Sequence, residues 1–96
     1  MVVVAKMKAK KGSEQEFEAA LREMVSKVAS EEGTLAYTLH RSLGDATEFL
    51  FYEKYENQEA FGRHSKTAHF KELMGKIAPL LDGAPSVDML EELAAI

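Results

Sequence analysis

The stretch EFLFYEKYE, residues 48–56, sets Phe49 and Phe51 on one side of an extended chain and Leu50 and Tyr52 on the other. A strand of that pattern needs apolar cover on both faces. The other extended stretches repeat the demand. Residues 34–42 align Leu35, Tyr37 and Leu39 on one face, and residues 2–9 oppose Val2 and Val4 to Val3, Ala5 and Met7. Helices of a small domain cover one face of a sheet, and a large bare apolar patch is unusual on a monomer. The most economical cover for the second face is another copy of the same sheet about a two-fold axis, so a homodimer is expected.

Between these strands the period changes. After Gly12, Phe17, Ala20, Leu21, Met24 and Val28 recur at helical spacing, which predicts a helix over 14–31 with Ser13 as N-cap and Gly33 as terminator. The turn LGDAT joins strands 34–42 and 48–56 into a hairpin. Asn57 is placed to cap a second helical region that carries Ala60, Phe61, His64, Phe70, Leu73, Met74, Ile77 and Leu80. Residues 86–93, SVDMLEEL, read as a fourth strand, with a short helix as the competing reading. The order is βαββαβ, an α+β fold of the ferredoxin-like kind with an antiparallel sheet. No linker or internal repeat divides it, so residues 1–96 are expected to form a single domain.

Lys6, Lys8, Lys10 and Lys11 crowd the start of the chain, while Asp82, Asp88, Glu91 and Glu92 crowd its end. In this topology the first and last strands are neighbours, so the two ends are expected to neutralise each other across the sheet. The net charge of −4 argues against nucleic acid as a partner. The absence of cysteine excludes disulfides and thiolate metal sites and fits a reducing compartment. No window reaches the ~18 apolar residues of a membrane span, and the apolar-then-basic start is the reverse of a secretory signal. A cytoplasmic protein with no membrane partner is expected.

The histidines of HSKTAHF invite a metal reading. On a continuous helix, however, positions five apart diverge by ~140°, whereas zinc helices use i and i+4. His64 shares a stripe with Ala60 and Phe61, so its imidazole is expected to be partly desolvated and neutral, able to act as a base. The alternative is a buried histidine satisfied by one hydrogen bond. Glu53, between Tyr52 and Tyr55, could orient His64 or pair with a lysine at the sheet end. Tyr37 and Tyr52 could hydrogen-bond an oxygen of a bound ligand or simply pack with hydroxyls at the rim. Phe49, Phe51, Phe61 and Phe70 are candidate walls of an aromatic pocket.

The stretches EEGTLAYTLHRS and TEFLFYEKYENQEAFGRHSKTAHF resemble the antibiotic biosynthesis monooxygenase (ABM) domain family, including its quinol monooxygenase-like members. Gly33 and Tyr37, Glu53 and Tyr55, Ala60 and His64, and Thr67, His69 and Phe70 match its pattern. Ala68 and Glu32 stand where prolines are usual. At position 68 proline would enforce a helix start capped by Thr67; alanine only permits it. The resemblance implies a dimeric α+β barrel. It also implies a monooxygenase that oxidises a small quinol, phenolic or polyketide-like aromatic with O2 and needs no metal or organic cofactor. It makes His64 the candidate catalytic residue, with Tyr37, Phe51, Glu53, Phe61, His69 and Phe70 as candidate substrate contacts. Haem degradation, known in some relatives, is disfavoured by the lack of tryptophan and of an asparagine in the first strand. A non-catalytic dimeric module that binds a small hydrophobic ligand or a protein is the alternative.

Overall fold

The computed structural model describes residues 1–96. Its elements are β1 (Val2–Lys8), α1 (Glu14–Val28), β2 (Thr34–Arg41), β3 (Glu48–Tyr55), α2 (Gln58–Ser65), α3 (Ala68–Ile77) and β4 (Ser86–Leu90), with a 3₁₀ turn at Ala78–Leu80. The sheet order is β2-β3-β1-β4, antiparallel throughout, so the βαββαβ reading holds and the chain's two ends lie side by side. No helix is long and apolar enough to cross a membrane.

The helices lie on the face that carries Val3, Met7, Phe49, Phe51 and Tyr55. The stripe Phe17, Leu21, Met24 and Val28 of α1, with Leu73 and Ile77 of α3, closes the main core against it. Phe49 stacks on Phe17 at 5.4 Å between ring centres. Each such fully buried side chain contributes roughly 1.5–3 kcal/mol of apolar transfer. Val4, Leu50 and Tyr52 point to the opposite face, which no helix covers.

Several local expectations are corrected. Ser13 makes no side-chain cap; instead the Glu14 carboxylate turns back to accept from the Gly12 amide at 2.9 Å. Gly33 does not end α1, which stops at Val28. It has φ +87° and opens β2, where a Cβ would sit 2.8 Å from Cβ of Ala60. The glycine thus lets α2 approach the start of β2. The strand expected over 86–93 ends at Leu90, whose partner Val2 is the first strand residue of β1, so the antiparallel pairing runs out there. The basic start is not neutralised by the acidic end. Lys6 pairs with Glu48 at 3.4 Å and Lys8 with Asp45 at 3.3 Å, both from the β2–β3 hairpin, while Glu92 pairs with Lys54 at 2.8 Å.

The second helical region is two helices. Asn57 caps α2 as expected, accepting from the Ala60 amide at 2.9 Å. At the break, Thr67 is extended, and its hydroxyl donates to the His64 carbonyl at 2.9 Å while accepting from the Phe70 amide at 3.2 Å. One hydroxyl therefore closes α2 and opens α3, which gives the step at Ala68 without the usual proline.

Candidate active site

Between α2, α3 and the helix-covered face of the sheet lies a cavity of about 120 Å³. Tyr37 of β2, Phe51 and Glu53 of β3, Phe61 and His64 of α2 and Phe70 of α3 all line it. Alternation along β3 places Phe51 and Glu53 on the same face, and the helical step from Phe61 brings His64 beside them. Tyr37 and Glu53 are cross-strand partners, and the Tyr37 and Phe51 rings stack at 4.5 Å. Pro85 and Val87, both exposed, complete the lining at β4. Two wider depressions, of about 350 and 570 Å³, lie between α1 and β2 and on the uncovered face of the sheet; neither is lined by His64 or Glu53.

Not every named residue belongs there. His69 points away from the cavity, toward a shallow groove between α1 and α3. Phe49 is core beneath α1, and Tyr52 lies on the uncovered face. Glu53 does not orient His64, nor does it pair with a lysine: its Oε1 accepts the Tyr55 hydroxyl at 2.6 Å.

Glu31, in the loop after α1, is the residue that sequence reasoning missed. Its Oε1 meets Nδ1 of His64 at 2.9 Å, and its Oε2 meets Nε2 of His69 at 2.5 Å. The two histidines converge on one carboxylate because the chain breaks at Thr67; the divergence expected of a continuous helix does not arise. Their ring nitrogens bond the carboxylate itself, and no three His, Asp or Glu side chains are grouped so as to hold a metal ion. The acid two residues before Gly33 carried no periodic signal; only the folded contact, across 33 positions, reveals it.

The electrostatics follow from burial. His64 is 2% exposed and ringed by Tyr37, Tyr55 and Phe70, with centroids at 5.3, 5.6 and 5.3 Å. Desolvation holds its imidazole below its ordinary range despite the raising effect of Glu31. A carboxylate only accepts, so Nδ1 of the neutral ring carries the proton and Nε2 keeps its lone pair. Glu53, 4% exposed, is pushed up to about 7, chiefly by burial and further by the Glu31 charge, against the lowering effect of the Tyr55 hydroxyl. The phenols of Tyr37 and Tyr55 are both driven upward, first by burial, and stay protonated donors. An apolar chamber thus presents one neutral base and one acid poised near neutrality.

Known proteins resemble this chain in sequence and in fold. Residues 1–76 match the family model described as antibiotic biosynthesis monooxygenase. A Bacillus subtilis (strain 168) protein named "Putative monooxygenase YcnE" is 31% identical over 81 residues, which is 84% of this chain and 85% of that one. The structure of PA3566 from Pseudomonas aeruginosa superposes with a TM-score of 0.90 at 30% identity, covering 97% of this chain and 93% of the other. A structure of an antibiotic biosynthesis monooxygenase superposes with a TM-score of 0.92 at 26% identity, covering 98% of this chain and 100% of that one.

Proposed function

The chain belongs to the antibiotic biosynthesis monooxygenase family, and from that premise we propose that it is a cofactor-independent monooxygenase for a small quinol or related phenol. The observation that carries the reading is the neutral His64 ring, fixed by Glu31 through Nδ1, with its other nitrogen left free at an apolar cavity. A quinol needs little else from a protein. Nε2 of His64 takes a phenolic proton, and the phenolate is a far better electron donor to O2 than the phenol. The apolar walls exclude water from the charged intermediate.

The stoichiometry closes without an outside reductant. One oxygen atom forms a new bond to ring carbon, and the O–O bond breaks. The other oxygen leaves as water with two hydrogens of the substrate. The quinol supplies all four electrons and becomes a hydroxyquinone. Oxygen uptake by the protein with hydroquinone, in the presence of a chelator, should match quinol consumed one for one and release no hydrogen peroxide. Saturable binding with no uptake above the spontaneous rate would instead favour the ligand-binding module.

We also propose the homodimer. Its support is the uncovered face with Val4, Leu50 and Tyr52, which a second copy would bury. Sedimentation equilibrium should find twice the chain mass, and Tyr52→Glu, which places a charge on that face, should shift the population to the single chain. A wild-type protein that sediments as a single chain at micromolar concentration sinks this assembly.

A further inference from the structure

We propose that the cavity takes an uncharged, single-ring dihydroxybenzene and rejects both fused-ring and anionic aromatics; this deepens the monooxygenase reading and rests on it. Size sets the first limit. A dry apolar cavity of ~150 Å³ takes up benzene, and this one is about 120 Å³. One six-membered ring fills that space, and a fused second ring exceeds it. Leu73 and Met74 of α3 form the wall against which a second ring would lie.

Charge sets the second limit. No lysine or arginine lines the cavity, and its one acidic residue, Glu53, would repel a carboxylate or phosphate on the substrate. An ionised group would therefore enter with no counter-charge.

The polar atoms set the third. Nδ1 of His64 is held by Glu31, which leaves Nε2 to accept from one hydroxyl. One oxygen of Glu53 is taken by Tyr55, which leaves the other to meet a second hydroxyl. Two free acceptor atoms, with the Tyr37 hydroxyl as a donor in the same chamber, match a ring that carries two oxygens.

Anaerobic titration calorimetry of the intact protein with hydroquinone, dihydroxynaphthalene and dihydroxybenzoate tests this, with oxygen uptake measured in parallel. The expected order puts hydroquinone first and each of the others at least about tenfold weaker. Met74→Ala should narrow the gap for dihydroxynaphthalene and leave that for dihydroxybenzoate. Equal affinity of wild-type protein for hydroquinone and either competitor overturns the proposal, as does an unchanged naphthalene gap in folded Met74→Ala. The two readings fail separately. The expected preference without oxygen uptake overturns the monooxygenase reading, whereas fast uptake with dihydroxynaphthalene overturns the single-ring class alone.

Discussion

His64→Ala lowers kcat/KM for a quinol by at least about a hundredfold, the lower bound for removing a positioned general base. Alanine cannot accept the phenolic proton, and no other side chain beside the cavity offers a neutral nitrogen. The variant should keep its far-ultraviolet dichroism and a cooperative unfolding transition, because Phe17, Leu21 and Phe49 of the main core make no ring contact with the histidine. Glu31→Gln is the companion variant. The carboxylate gives each histidine an acceptor oxygen, whereas a glutamine has one oxygen and one NH2 group. One of the two histidines must then change tautomer. If it is His64, Nε2 gains the proton and can no longer act as the base, so kcat falls while KM is held. With pH the sign is set by the depressed His64 value. The His64 contribution to activity should be flat above the ordinary 6.5 and fall only as the pH drops further, when the ring protonates, whereas a change near 7 reports Glu53. Full oxygen uptake in folded His64→Ala would remove the base from the mechanism.

Much of this geometry is legible in the sequence because it follows from period. Two-residue alternation in β1 and β3 and the stripe Phe17, Leu21, Met24, Val28 give the topology and its covered face. The strand face that carries Phe51 and Glu53, and the helix step from Phe61 to His64, bring most of the named side chains to one cavity. Other features depend on contacts that no local pattern encodes. Glu31 lies in an irregular loop, and its partners are 33 and 38 positions away. The convergence of His64 and His69 depends on one hydroxyl, Thr67, that interrupts a region whose apolar spacing reads as continuous. The Glu53–Tyr55 bond was open to inference, since residues two apart on a strand share a face. The end of β4 is a matter of pairing: SVDMLEEL keeps strand character past Leu90, but β1 offers no further partner.

Glu53→Gln should stabilise the protein by about 2–3 kcal/mol at pH 8 and by almost nothing below pH 4.5. In the unfolded chain this carboxyl ionises near its ordinary 4.5; in the fold it resists until about 7. A raised folded value means that the native state holds the proton more tightly. The contribution of Glu53 is therefore most favourable below 4.5, and it is lost as pH rises through the interval to about 7. Glutamine has the same shape and can accept the Tyr55 hydroxyl on its amide oxygen, but it has no charge to desolvate. Urea denaturation of both forms at pH 4.5 and pH 8 measures the difference directly, with other titrating groups common to the two. A glutamine variant that gains equally at both pH values, or is weaker at pH 8, would show that Glu53 ionises at least as freely in the fold as in water. The predicted gain is stability that the wild-type chain forgoes by keeping an ionisable acid in an apolar cavity. A group held there near neutrality can donate to a substrate oxygen when protonated and accept from a substrate hydroxyl when charged, and an amide cannot change between those states.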